Sequence, residues 1–521
     1  MLPAARQRAE KRDILLFLLP CIGVGLLVRL YFFNGVSLAD DVNYWTQSIA
    51  TGLHNEWPPL KFHWHTRIGL VLPSAILLKM FGLKVWAPYI FTLLGGLLEI
   101  MATYFVARHF VSETAARVAA WLGVFFPLNI LYSSYLYVDL WAGLLGGLSI
   151  YFWHRGMVAD RIRYYALASL FFGIAWLFRE TIVMCAPIYV VLWLYSRRWH
   201  SPKFLWILPP ALMIFAGECL LYQISANNWH YRLDAIFAAK GQLAADFTGV
   251  KRFWLQPFVE LVTSHELGIF LLAALVVGVL NFKRCPKPLL LWLLVGFGWL
   301  CWGTTLPFAW VPLQGDPRYL TVLTIPCLIL LAGFISQLPR QSWRITALAI
   351  LIVSGILSSM LDLGSVKLSA HRRFALSKYN TSETAVEPFV YFGTRAALDF
   401  QTNDLKFCCA SDLGRVTAMK QLNLIPGTRT LPCAKARYVV LSNRSHQEKF
   451  DTKINKEGWR VVDVILGDRN PLRTRAVKLL TVFGQPGHRE PVVPRAVLTI
   501  LENPAWSTTN TPPSLAEFPL Q

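Results

Sequence analysis

Apolar runs of about 15–21 residues recur along this chain from Ile14 to Leu361, at or near the length that crosses the hydrocarbon core of a bilayer. Inside lipid every backbone N–H and C=O must be satisfied within the segment, which makes a helix of each run. The runs lie at about 14–33, 86–106, 118–134, 137–153, 164–178, 182–196, 204–223, 267–282, 288–306, 319–338 and 343–361, about eleven helices by the length rule. Hydrophobic residues make up 55% of the 521 and charged residues only 15%, a ratio that no soluble domain needs. After Asp362 the composition turns polar. The predicted architecture is an all-α polytopic membrane domain over 1–362, followed by a soluble mixed α/β domain over 363–521.

The formal net charge is +20, and its placement says more than its sum. Arg6, Arg8, Lys11 and Arg12 precede the first run. Later clusters are Arg108 with Arg117, Arg155 with Arg161 and Arg163, Arg197 with Arg198 and Lys203, Lys283 with Arg284 and Lys287, and Arg340 with Arg344. They occupy every second gap between runs, which is the positive-inside pattern and puts those gaps in the cytoplasm. An odd number of spans then carries the tail to the non-cytoplasmic side. The basic charge is dispersed rather than gathered on one face, which argues against a nucleic-acid partner. The N-terminus lacks an A-x-A cleavage site after its apolar stretch and reads as a retained signal anchor.

Two outer loops are long, about 34–85 and 224–266. Within the first, the apolar stretch Arg67 to Phe81 is too short to span, is broken by Pro73, and reads as an interfacial or re-entrant helix. The second mixes Trp229, Tyr231, Arg232, Lys240, Lys251, Arg252 and Trp254, a composition suited to the headgroup layer. In the tail, 437–441, 461–465 and 476–480 have strand character, and the Pro- and Thr-rich end from Thr508 to Pro513 reads as disordered. Cys408, Cys409 and Cys433 lie on the side where oxidation is permitted, which allows a disulfide to Cys433.

Carboxylates avoid hydrocarbon, so acids placed at a membrane exit need a use. Asp40 and Asp41 sit just beyond the first run, in Ala39-Asp40-Asp41-Val42-Asn43-Tyr44. As a stop signal they would merely end the helix; as a functional pair they would face whatever the outer loops hold. The same loop carries Glu56, Trp57-Pro58-Pro59, His63, His65 and Arg67. His63 and His65 would share one side of an extended segment and could hold a divalent metal ion with a carboxylate; the plainer role is contact with headgroups or backbone. Asp139 opens the fourth run on the same face, where one acid is commonly a partner of the helix dipole. Arg179 and Glu180 are adjacent opposite charges that can pair with each other. Asp316-Pro317-Arg318-Tyr319 opens the tenth run, also outside. Glu99 and Glu218 lie within apolar runs, and such acids face a bundle interior.

In these motifs the chain resembles the GT-C class of membrane glycosyltransferases, within it the protein O-mannosyltransferase and lipid A aminoarabinose transferase group. The residues that carry the resemblance are Ala39-Asp40-Asp41 with Tyr44, Trp57-Pro58-Pro59-Leu60, Arg67-Ile68-Gly69 with Pro73, Phe81-Gly82, Tyr132-Ser133 with Asp139, and Arg318-Tyr319-Leu320. It covers about 14–340. The family shows Asp-Glu where this chain has Asp40-Asp41, and the Trp-Trp-Asp-Tyr-Gly signature of oligosaccharyltransferases is absent.

The resemblance implies an inverting enzyme that takes a sugar from a polyprenyl-phosphate-linked donor and passes it to an acceptor hydroxyl on a lipid, glycan or protein. It implies Asp40 as catalytic base, with Asp41 and Asp139 as further catalytic acids. Arg67, Arg318 and Tyr319 would hold the donor phosphate, and Tyr44, Glu56 and His65 the substrates. A divalent metal ion would draw on Glu56, His63 and His65. The expected location is a plasma membrane, the inner membrane of a bacterium, with membrane lipids around the spans. A transporter or flippase is the competing class. Its expected signs are repeats and broken helices at the midplane, whereas here no repeat is visible and the acids gather at one face.

Overall fold

A computed structural model of the chain describes residues 2–33, 39–53, 66–82, 84, 86–197, 201–237, 256–264, 266–304, 317–362 and six strands between 384 and 502. Two compact units divide the chain, residues 1–35 with 43–363 and residues 36–42 with 364–521.

Helices build the membrane unit: α1 (Leu2–Tyr31), α2 (Ala39–Leu53, belonging to this unit from residue 43), α3 (Ile68–Phe81), α4 (Tyr89–Phe110), α5 (Glu113–Phe125), α6 (Pro127–Ser134), α7 (Asp139–Ala159) and α8 (Ile162–Phe178). A 3-10 turn (Glu180–Cys185) leads into α9 (Ala186–Ser196), and another (Pro202–Ile207) into α10 (Pro209–Ala226). Then come α11 (helical over 231–237), α12 (Gln256–Thr263), α13 (Phe270–Leu280) and α14 (Lys287–Trp302). A 3-10 turn over Pro317–Leu323 feeds α15 (Thr324–Gln337), and α16 (Gln341–Asp362) follows.

Among the described residues, five helical stretches are long and apolar enough to cross a membrane: Ile14–Tyr31, Tyr89–Phe110, Pro202–Ala226, Pro317–Gln337 and Gln341–Met360. The bent pair α5–α6 makes a sixth if it counts as one span, and shorter apolar helices run over Ile68–Phe81, Ile162–Phe178, Glu180–Ser196, Phe270–Leu280 and Lys287–Trp302. The protein is a mostly helical, multi-pass membrane protein.

The run expected as a single span over 118–134 is two helices meeting at 49°. Pro127 is the cause. It has no N–H to return to the carbonyl of Gly123, and it favours the first turn of a new helix. The freed carbonyls find a donor on another helix: the Arg29 guanidinium of α1 donates to Gly123 O and to Val124 O, each at 3.4 Å. Arg29 is buried and sits in the field of Glu99 on α4, the internal compensation that a buried charge requires. Glu99 thus faces the bundle interior, beside a cation that the apolar pattern hides.

Helix ends elsewhere follow local chemistry. Ser112 accepts from Ala115 N at 3.3 Å to cap α5. Asp160, Arg197 and Asn227 take left-handed backbone to close α7, α9 and α10. At the end of the bundle that begins α7, the ring of Trp141 stacks on Phe91 and Phe178 at 4.5 and 5.8 Å, tying α4, α7 and α8 together. At Gly143 the 3-10 turn of Pro317–Leu323 comes so close that an added Cβ would stand 2.6 Å from Thr321 Cβ; only glycine admits that approach.

The other unit contains a six-stranded sheet in the order β3-β2-β1-β4-β6-β5, from β1 (Thr384–Val386), β2 (Lys406–Cys408), β3 (Arg429–Leu431), β4 (Tyr438–Ser442), β5 (Arg460–Leu466) and β6 (Ala496–Glu502). β1 pairs in parallel with β2 and β4, and β2 with β3; β6 runs antiparallel to β4 and β5. The strand runs read at 437–441 and 461–465 correspond to β4 and β5. The run at 476–480, Cys409, Cys433 and the stretch from Thr508 to Pro513 lie outside the described residues.

Candidate active site

α7 and α8 are an antiparallel pair, so the start of α7 and the end of α8 share one end of the bundle. Asp139 opens α7 and Arg179 closes α8. The two form a buried ion pair. Arg179 also lies 4.3 Å from the Tyr319 ring centroid, and Arg318 faces the same ring at 5.5 Å and Tyr137 at 5.8 Å. Thr321 Oγ1 donates to the Asp139 carbonyl at 3.0 Å, fastening the 3-10 turn to the head of α7. The Oδ2 of Asp139 is buried with no hydrogen-bond partner among the described residues.

A second charged group adjoins the first through the chain bond between Arg179 and Glu180. These neighbours do not pair with each other; they turn to different partners. Glu180 takes a two-pronged ion pair from Arg67, whose Nη2 donates to Oε1 at 3.0 Å, and Arg232 approaches it at 3.7 Å. Arg67 also donates to the carbonyl of Phe178 at 3.4 Å. Arg232 forms an ion pair with Glu218 of α10 and donates to Trp176 O at 2.6 Å, with its guanidinium 4.6 Å from the Trp176 ring centroid. Trp176 Nε1 and the Tyr222 hydroxyl donate to Glu218 at 2.5 and 3.2 Å. Glu218 was legible as an intramembrane acid. Its partner Arg232 was read into a headgroup loop, yet it is buried.

Three ion-paired guanidiniums, Arg67, Arg179 and Arg232, and three carboxylates, Asp139, Glu180 and Glu218, thus meet at one end of the bundle, with Arg318 beside them. Burial lowers the pKa of Arg67 to about 10, and the neighbouring Arg232 and Arg179 push the same way, against Tyr44 and Tyr319. All five groups therefore act within one field, and Arg67 keeps its charge at neutral pH. Tyr44 is buried on α2.

The positions of the remaining expected residues divide sharply. Asp40 and Asp41 lie in the first turn of α2, and their side chains lie outside the described residues. So do Glu56, His63 and His65. Among the described residues no group of three or more His, Cys, Asp or Glu could hold a metal ion. Tyr132 donates to Glu266 at 2.6 Å and packs against Tyr135 and Tyr137, with ring centroids 6.5 and 5.7 Å away. Trp176, Tyr222 and Arg232 were missed by sequence reading. The usable signal was Glu218 itself, because an acid in an apolar run demands a cation from somewhere.

Residues 72–219 match the family described as dolichyl-phosphate-mannose-protein mannosyltransferase. The chain is similar in structure to ArnT from Cupriavidus metallidurans bound to undecaprenyl phosphate, at TM-score 0.55 and 13% identity, over 94% of this chain and 99% of that one. The apo state of the same protein aligns at TM-score 0.53 and 14% identity, over 95% and 99%. No curated protein matches the chain by sequence. The family match covers residues 72–219 of the 521, and the likeness to ArnT, at 13% identity, is a likeness of fold.

Proposed function

We propose that this membrane protein is a glycosyltransferase of the GT-C class that moves a sugar from a polyprenyl-phosphate donor to an acceptor hydroxyl at the outer membrane–water interface, with inversion. The observation that carries the reading is the buried cluster of Arg67, Arg179 and Arg232 at one end of the bundle. A phosphate anion on a lipid tail would meet cations there at the edge of the apolar spans. Undecaprenyl phosphate bound to ArnT supports the donor class.

In the proposed reaction the acceptor oxygen attacks the anomeric carbon, the bond from that carbon to the phosphate oxygen breaks, and the acceptor proton passes to the Asp40 carboxylate. A carboxylate within hydrogen-bond reach is sufficient for that transfer. The departing lipid phosphate gains negative charge, which Arg67 and Arg318 stabilise as fixed guanidinium donors, with Tyr319 between Arg318 and Arg179. Asp41 and Asp139 support the charge balance around the acceptor. Tyr44, Glu56 and His65 line the substrate path, and a divalent ion, where one takes part, would draw on Glu56, His63 and His65.

The direct test is incubation of the purified full-length protein with a panel of polyprenyl-phosphate sugars, scoring both sugar transfer and donor hydrolysis. Turnover of at least one donor is expected. Lipid translocation without any cleavage of the sugar–phosphate bond would replace the reading with that of a flippase.

We also propose about eleven spans, with a cytoplasmic N-terminus and with Asp40, Asp139, Arg318 and a soluble α/β domain after about Asp362 on the other side, by the positive-inside rule. Single cysteines placed at Ser37, Ser134, Gly315 and Ser411 in a cysteine-free background should react with an impermeant thiol reagent added outside. Cysteines at Ala159 and Ser201 should stay unlabelled until permeabilisation. Labelling at Ser411 only after permeabilisation would require an even number of spans.

A further inference from the structure

The far end of the α7–α8 pair gathers guanidiniums, those of Arg155, Arg161 and Arg163, that pair with no carboxylate among the described residues. Arg155 lies sixteen residues along α7 from Asp139, about 24 Å at 1.5 Å per residue, so this group is remote from the site described above. Two guanidiniums converge on one phenol there. Arg155 Nη2 donates to the Tyr164 hydroxyl at 3.3 Å and Arg163 Nη2 donates to it at 3.1 Å, with both cations over the Tyr164 ring at 5.2 and 4.8 Å. On its other side Arg155 Nη1 lies 2.7 Å from Nδ1 of His109 at the end of α4, a contact that needs the neutral imidazole as acceptor. The ring of His154 stands 6.0 Å from that of His109, and its buried Nδ1 has no hydrogen-bond partner among the described residues.

The acids at this end are already engaged. Glu113 is held by Arg108 at 2.8 Å, Arg117 at 3.2 Å and Tyr104 at 2.5 Å. Asp160 is held by Lys203 and by Ser201, each at 2.7 Å. Among the described residues no carboxylate lies in ion-pair range of Arg155, Arg161 or Arg163. Like charges brought together in this way repel, and an anion beside them would relieve the repulsion. The flanking surface is apolar as well: Val158 and Ile162, on either side of the turn between α7 and α8, are exposed. A phosphate with acyl chains satisfies both features at once, since basic pockets between membrane helices take anionic lipid headgroups.

We propose that Arg155, Arg163 and Tyr164 form a binding site for the phosphodiester headgroup of an anionic phospholipid, in the leaflet opposite the transfer site. The phosphate oxygens accept from the two guanidiniums and from the Tyr164 hydroxyl, whose own proton is not used in accepting from Arg155 and Arg163. The acyl chains lie along Val158 and Ile162.

The test uses full-length protein in neutral detergent, titrated with phosphatidylglycerol and, separately, with phosphatidylcholine, and followed by native mass spectrometry and by melting temperature. Phosphatidylglycerol should bind and raise the melting temperature, and phosphatidylcholine should do neither. Arg163→Gln, at an exposed position that spares the fold, should weaken phosphatidylglycerol binding about fivefold, and Arg155→Gln/Arg163→Gln about tenfold or more. Lys283→Gln/Arg284→Gln removes the same charge from another basic loop and should change binding less than twofold. Equal losses in the two double variants would reduce the effect to general attraction and overturn the site. Unchanged binding in Arg155→Gln/Arg163→Gln would do the same. Displacement of the lipid by millimolar inorganic phosphate would assign the site to a soluble anion instead of a lipid.

Discussion

Asp40→Asn protein is expected to fold as the wild type does and to lose sugar transfer by roughly 10²–10⁴-fold, the range that one positioned general base supplies. The substitution keeps size and polarity and removes only the charge and the basicity. Its structural cost is small, because a carboxylate in the first turn of α2 gains about 0.3–1 kcal/mol from the helix dipole. Melting temperature in detergent and transfer rate should therefore separate cleanly. Transfer at the wild-type rate would take Asp40 out of the reaction. Asp41→Asn is expected to be equal or milder. Asp139→Asn offers the instructive contrast. Its carboxylate is engaged by buried Arg179, so neutralising it leaves a cation unmatched, and loss of activity should come with a lowered melting temperature. A fall in rate at constant stability is the mark of a chemical role; a fall in both is the mark of a charge balance disturbed.

The membrane class was legible because it rests on length and polarity, which a sequence states directly. Apolar runs of spanning length mark helices whatever they pack against. The strands β4 and β5 were legible for a similar reason, in that Tyr438–Ser442 and Arg460–Leu466 are dense in β-branched residues. The break in the 118–134 run was less visible. Pro127 announces it, but a proline within an apolar run is tolerated in membrane helices when another group satisfies the freed carbonyls, and here that group is Arg29, on a helix about a hundred residues earlier.

The charged site was legible in its members and not in its pairing. Arg67, Asp139, Arg179, Glu180, Arg318 and Tyr319 all stand at run ends on one predicted face. Adjacent Arg179 and Glu180 invite a local ion pair. The backbone instead turns at Arg179, extended at φ −154°, and sends the two side chains to Asp139 and to Arg67. Arg232 was hidden because Asn227 ends α10 in left-handed backbone, so Glu218 and Arg232 do not share one helix and their spacing predicts no contact. Such pairings depend on how helices return to one another, which no local pattern encodes.

Arg67→Ala is expected to destabilise the membrane unit by about 3–5 kcal/mol, the cost of removing one partner from a buried ion pair. Both side chains are well shielded, at 5% and 13% exposure for Arg67 and Glu180, so solvent can do little to compensate. Arg232, 3.7 Å from Glu180 and already committed to Glu218, cannot replace the two-pronged contact. Taken alone, the variant cannot separate a structural cation from one that holds the donor phosphate, since loss of fold and loss of binding both remove transfer. The double variant Arg67→Ala/Glu180→Ala separates them. Removing both charges together should restore most of the melting temperature, because no unmatched carboxylate is left behind. If Arg67 also serves the donor, transfer stays low in the double variant, with a raised donor KM or a lowered kcat at near-normal stability. If both stability and donor kinetics return, Arg67 belongs to the scaffold, and the phosphate must be held by Arg318 or Arg232 instead.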